Sequence, residues 1–399
     1  MNMELFASEA FDATPAAARA RLSAVRPAEY ARTRNHLDGA VTRLSPYLTH
    51  GMLTLPEVLD SVLKRQPQLP VQHKLVYELA WREYFHHVWQ HEGDAIFESL
   101  HEGPLPEDAY GRELPADIRE ARTGVPVIDE AVRELYATGW LHNHARMWLA
   151  SYAVHIRKLH WRAGADWMVG HLLDGDLASN HLSWQWVAGT GSHKPYLFNA
   201  DNVARHAPPQ WHSQGSVIDA EYEMLDAIAR GARTTAANPR QGRAPSRATA
   251  EPPCLACPPA GFTAPDATSI RGRPVWLAHP WSLAGAPAGL PAGTLRIGVC
   301  VAGWHADWPW NEARWRFVGQ RLAASCDRLW FADESLLRNA LAAAGSVQGI
   351  ADPHMPGLSA QFRLDAPQRL FASPPRRCAS FSQFWRQVTK RLSLAAELR

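Results

Sequence analysis

The chain has 399 residues, 46% hydrophobic and 20% charged, an ordinary globular balance with length enough for two domains. Its formal net charge of +2 excludes a protein basic over its whole surface, while leaving room for the local basic groove that nucleic-acid binding needs. No apolar run approaches the roughly 20 residues of a membrane span, and Glu4, Glu9 and Asp12 come too early for a secretory signal, so a cytoplasmic protein is expected.

From Pro15 to Ala229 the apolar spacing is helical, with few strand-like runs. Ser45-Pro46 reads as an N-cap followed by proline at the first helical position. Thr54-Leu-Pro-Glu57 reads as a capping box that opens the next helix. Val71 to His91 is a long helix, apolar or aromatic on more than one face and therefore largely buried. Ile128 to Thr138 is another, stopped by Gly139. Asn143 to His160 and Ala163 to Leu173 follow.

Between Arg230 and Pro265 the composition shifts to Arg, Ala, Thr, Pro and Gly, with Arg230, Arg233, Arg240, Arg243 and Arg247 and no acid before Glu251. This reads as a solvated linker; a basic strap touching DNA phosphate is the alternative. Five cysteines, an odd number, fit free thiols in a reducing compartment. Cys254-Leu-Ala-Cys257 has metal-ligand spacing but no second pair nearby, so a bare thiol pair is preferred and no metal is expected. Beyond Arg271 strands alternate with helices. Pro274–His279, Leu295–Ala302 and Arg328–Phe331 read as strands, Asn311–Ala324 and Glu334–Ala344 as helices. That alternation implies a small α/β domain with a mostly parallel sheet. The organisation expected is thus mainly α: a helical domain over residues 1–230, a linker over 231–270 and a smaller α/β domain over 271–399.

Three segments carry chemistry. Glu78, Trp81, Arg82 and Phe85 fall at i, i+3, i+4 and i+7 and share one side of their helix, where buried charges need partners. Asn143, Arg146 and Met147 lie one turn apart at a helix start. Asp174-Gly-Asp176 is a tight acidic turn followed by Asn180, Trp184 and Trp186. A calcium loop is set aside because further oxygen ligands at regular spacing are missing.

Taken in order, Thr42 to Gly51, Glu78 to Tyr84, Arg122 to Pro126, Asp129, Thr138 to Asn143, Arg146-Met147 and Asp174 to Asn180 resemble the FAD-binding domain of DNA photolyases and cryptochromes. The likeness covers about residues 20 to 210 and rests on the ordered set more than on any one motif. It implies FAD as cofactor, with Tyr30, Thr42, Arg43, Leu44 and Ser45 on its phosphate side. Arg146, Asp174, Gly175 and Asp176 would lie against the flavin ring, and Asn180 would face its N5, beside Asn143. It also implies that Trp184 and Trp161 belong to an electron-transfer chain. The usual third tryptophan is missing; Tyr110, a detour through Trp148, or no third member are the open readings. On the substrate side it implies that Glu78, Trp81, Asn143, Met147 and Trp186 contact a pyrimidine dimer flipped out of DNA, with Arg34 and Arg82 placed to hold phosphate or the pocket wall. The (6-4) photolyases carry histidines where Asn143 and Met147 stand, so a cyclobutane dimer is the expected substrate.

The sequence also departs from the family. Val41 replaces a hydroxyl residue of the phosphate segment, and Leu75 stands where some photolyases have a flavin-side tryptophan. The amino-terminal antenna domain is not seen. Val275 to Trp281 and Arg314 to Phe317 resemble parts of it, so a displaced antenna-like domain and an unrelated α/β module both stand, and the antenna chromophore stays unassigned. The function expected is light-driven dimer repair by a monomer, with a cryptochrome-like blue-light sensor as first alternative and a flavin-binding protein without photochemistry as second.

Overall fold

The computed structural model describes residues 11–231 and 248–398. Arg233, Arg240, Arg243 and Arg247 of the expected linker lie outside the described residues. Among those described, no helix is long and apolar enough to cross a membrane.

The first half is helical: α1 (Pro15–Ser23), α2 (Pro27–Thr33), α3 (Ser45–Thr49), α4 (Leu55–Leu63), α5 (Lys74–Glu92) and α6 (Ala116–Arg119). It continues with α7 (Pro126–Thr138), α8 (Asn143–Ser151), α9 (Trp161–His171), α10 (Leu177–Ala188), α11 (Ala200–His206) and α12 (Tyr222–Ala229). Local chemistry sets many boundaries. The Thr54–Glu57 capping box opens α4, and Gly139, at φ 67°, ends α7 in the left-handed region. Asp176 caps α10 by accepting from the Ser179 N–H at 2.8 Å. Helix α10 is buried between α5, α8 and α9 except for the stripe Ser179, Ser183 and Trp186, which faces the cavity described below.

One expected helix differs. The stretch Asn143–His160 leaves α-geometry at Tyr152, runs through a π-type turn over Tyr152–Ile156, and stops. Lys158 takes φ 53° and anchors its ammonium on the Ile228 and Ala229 carbonyls at 2.5 and 2.9 Å. His160 then caps a fresh helix, so α9 starts at Trp161 rather than Ala163 and ends at His171.

The second half comprises β1 (Cys254–Leu255), β2 (Pro274–Ala278), β3 (Leu295–Val301), α13 (Ala302–Asp307), β4 (Trp310–Asn311) and α14 (Glu312–Ser325). After these come β5 (Arg328–Ala332), α15 (Glu334–Leu341), β6 (Ser346–Gly349), α16 (Pro356–Phe362) and α17 (Phe381–Val388). Strands β2 and β3, nearly continuous in apolar residues, form the centre of a parallel sheet ordered β5-β3-β2-β6, with Val275 opposite Leu295. Counted by appearance the order is 3-2-1-4, that of the first four strands of a doubly wound nucleotide-binding sheet. Ligands of such sheets lie where the strand order reverses, beyond the ends of β2 and β6. Here aromatic rings fill that place: Trp281 stacks on His354 at 4.0 Å, and Trp304 meets both edge-on.

The two halves share one apolar core, with Tyr47 5.9 Å from Phe317. Residues 248–270 are pinned rather than free. Glu251 bonds Arg119, Trp167 and His171, and β1 pairs with β4. The carboxyl-terminal segment returns to α5: Glu83 accepts from the Leu370 and Phe371 N–H groups, and His87 accepts from Cys378 N–H.

Candidate flavin and substrate cavity

A cavity of about 500 Å³ opens where α5, α8, α9 and α10 converge, a size ordinary for a ligand site. The whole set expected on the substrate side lines it: Arg34, Glu78, Trp81, Arg82, Asn143, Met147 and Trp186. So do Arg146, Asp174, Asp176, Asn180 and Trp184 of the expected flavin side.

Two buried carboxylates organise the charge. Asp174 receives the Arg146 guanidinium at 3.0 and 2.7 Å. Asp176 meets Arg82 at 3.3 Å and His86 at 2.9 Å. Burial opposes ionisation of Asp176, but His86, Arg82 and the bonds from His86 and Ser179 outweigh it and hold its carboxyl well below the usual range. Glu78 is the opposite case. Burial raises its pKa, against the pull of Arg34, 3.4 Å away, and of Lys74. Glu134, buried beside Arg43, Glu130 and Arg146, is pushed up to about 7, chiefly by desolvation.

The phosphate-side residues are placed differently. Tyr30 and Thr42 to Ser45 are not among the residues that line this cavity. Ser45 Oγ accepts from Trp140 Nε1 at 3.1 Å, Thr42 Oγ1 from Leu44 N–H at 3.4 Å, and the Arg43 guanidinium lies 4.8 Å over the Trp140 ring. Gly175, between Asp174 and Asp176, is not among the lining residues either. Trp161 lies apart as well, lining a second cavity of about 390 Å³ together with Tyr110 and His160. Its Nε1 donates to Ser99 at 3.0 Å, and the rings run Trp161, His160, Tyr110 at 5.7 and 6.4 Å. Trp148 packs instead on Phe198 and donates to Asn202.

Several partners were not read from the sequence. His86 follows Arg82 at i+4, a spacing that placed it on the same side of α5. Phe381 of α17 stacks on Trp81 at 3.9 Å and 7°, a contact no local pattern foretells. Among the described residues no group of three or more His, Cys, Asp or Glu is arranged to hold a metal. Cys254 lies 3.8 Å from His171, and burial pushes its thiol up to about 12.

The lining fits a flavin. Ser179 Oγ and Trp184 Nε1 are buried at the cavity without a hydrogen-bond partner, as a polar heterocycle edge would use them. Asn180 is anchored through Nδ2 to the Ala165 carbonyl at 2.8 Å. Trp184 is held against Gly164, where an added Cβ would come within 2.3 Å of its ring. Gly164→Ala is therefore expected to cost about 1–3 kcal/mol in denaturant unfolding and to displace Trp184 from the cavity wall. Wild-type stability and tryptophan emission in that variant would show that the ring does not pack there.

Residues 75–223 match the family model described as the FAD binding domain of DNA photolyase. The chain is 36% identical over 166 residues to a deoxyribodipyrimidine photo-lyase of Streptomyces griseus, covering 41% of this chain and 36% of that one. It is 38% identical over 210 residues to the photo-lyase of Thermus thermophilus, covering 49% and 48%. To a cryptochrome DASH of Synechocystis sp. it is 35% identical over 174 residues, covering 41% and 35%. The crystal structure of a Synechocystis cryptochrome aligns at TM-score 0.43 and 29% identity over 48% of this chain and 43% of that one. The matched stretch thus spans about a third to a half of these relatives.

Proposed function

We propose, from the premise that this chain belongs to the photolyase/cryptochrome family and carries its FAD-binding domain at residues 75–223, that it repairs cyclobutane pyrimidine dimers in DNA using blue light. The observation that carries this reading is a single cavity shared by Asp174, Asp176, Asn180 and Trp184 and by Glu78, Trp81, Asn143, Met147 and Trp186. Reduced FAD, when bound, supplies the electron that light releases towards the dimer.

The chain's own residues receive the substrate. Trp81, backed on one face by Phe381, offers a fixed apolar surface to a base taken out of the stack. Trp186, 36% exposed, offers a second surface beside Tyr196. Arg34 holds Glu78 and presents a cation to backbone phosphate. Burial raises the Glu78 pKa, which eases its protonation, and a protonated Glu78 would hydrogen-bond a pyrimidine carbonyl that gains negative charge. The absence of histidine at Asn143 and Met147 favours the cyclobutane dimer.

The test is repair of a thymine-dimer oligonucleotide by the chemically reduced protein under blue light, against a dark control. Light-dependent loss of the dimer is the expected result. No repair by a protein holding FAD stoichiometrically would overturn this reading in favour of a light sensor. Glu78→Ala is expected to lower repair at least about tenfold, the worth of one hydrogen bond to a charged group, with FAD content unchanged. Full repair in that variant would remove Glu78 from the reaction.

A further inference from the structure

Arg314 belongs to the carboxyl-terminal half, yet its guanidinium ends on the turn that carries Asp174 and Asp176. It sits in the first turn of α14, where Asn311 caps the helix by accepting from the Arg314 N–H at 2.9 Å. The same Asn311 donates to the His171 carbonyl at the end of α9 at 2.6 Å, which fixes the docking of this helix end. The Arg314 side chain is 1% exposed and lies 4.0 Å over the Trp310 ring. Its Nη2 donates to the Gly175 carbonyl at 2.6 Å, and its Nη1 lies 3.4 Å from the Val169 carbonyl.

Those contacts explain the residue between the two acids. A Cβ on Gly175 would stand 2.6 Å from Arg314 Nη1 and 2.5 Å from the Val169 carbonyl, so glycine is what permits the close approach. Burial lowers the Arg314 pKa to about 9, with Asp174 and Asp176 pulling the other way, so the group stays cationic at neutral pH. Its hydrogen bonds go to backbone carbonyls, and Nε is buried without a partner. An unneutralised buried cation is costly, and the nearest balancing charges are the two carboxylates that face the cavity.

We propose that Arg314 is a positioning residue of the flavin site supplied by the carboxyl-terminal domain. It clamps the Asp174-Gly175-Asp176 turn from behind and sets a buried positive charge behind both carboxylates. The flavin site is then completed by a domain outside the matched residues 75–223. This inference rests on the FAD reading above. A cation there favours the reduced, more negative flavin over the oxidised one.

Arg314→Met keeps the apolar bulk and removes the charge; Arg314→Lys keeps the charge and loses the fork. Both are expected to weaken FAD binding to the apoprotein about tenfold. Only Arg314→Met is expected to shift the reduction equilibrium of bound flavin, about tenfold towards the oxidised form, which is about −30 mV for a two-electron couple. Wild-type affinity and potential in Arg314→Met would overturn the proposal. Should that variant not fold, Gly175→Ala pushes the guanidinium off its carbonyl and must weaken FAD binding likewise. A wild-type chain that takes up no FAD would overturn the flavin reading itself. Amide exchange over residues 174–176 of the FAD-free proteins then decides the clamp: faster exchange in Arg314→Met upholds it, and equal rates refute it.

Discussion

Asp174→Asn is expected to release FAD and to cost the folded protein about 3 kcal/mol, the loss typical when one partner of a buried ion pair is removed. The Asp174 carboxylate is 2% exposed and takes both of its charged bonds from Arg146 Nη2, while Arg146 Nε is committed to the Leu141 carbonyl. Removing the negative charge leaves Arg146 and Arg314 on the same turn with less to balance them. Glu134, which also feels the Arg146 charge, resists ionisation because burial lifts its pKa to about 7. Absorbance of the flavin after gel filtration and urea unfolding of the variant check this. Stoichiometric FAD with unchanged stability would show that the Arg146–Asp174 pair does not hold the site.

Much of this arrangement was legible in the sequence because it is local. The Thr54 capping box, the Gly139 stop and the i, i+3, i+4, i+7 spacing of Glu78, Trp81, Arg82 and Phe85 each follow from the next few residues along the chain. The break at Tyr152 was not legible, since an apolar run through a π-type turn has the composition of a continuous helix. Nor were the contacts between distant segments. Phe381 on Trp81, Glu83 under Leu370 and Phe371, and Arg314 behind Gly175 join residues roughly 140 to 300 positions apart. No periodicity encodes such docking. The glycine between two acids was visible; the guanidinium that requires it was not.

Lowering the pH from 7 to 5 is expected to destabilise the protein by a net amount on the order of 3 kcal/mol, a large share of ordinary domain stability. The cause is a set of histidines held neutral, in each case chiefly by desolvation on burial. His50 and His142 are lowered from 6.5 to about 3, and His87, His144 and His155 to about 4. A depressed histidine takes up its proton near 6.5 when unfolded but only near 3 to 4 when folded. Its stabilising contribution is therefore complete above pH 6.5 and is lost as pH falls towards the folded value. Three acids work in the opposite sense. Glu134, raised to about 7, and Glu78 and Glu83, raised by burial, favour the folded state as the pH falls. Five histidines at up to about 2 kcal/mol each over this interval, discounted by half for relaxation and water entry, exceed what the acids return. Urea unfolding at pH 7 and pH 5 at fixed ionic strength reads the balance. Equal or greater stability at pH 5 would mean that these imidazoles can protonate inside the folded chain, and that the tightly packed histidine environments found for His50, His142 and His155 open readily to water.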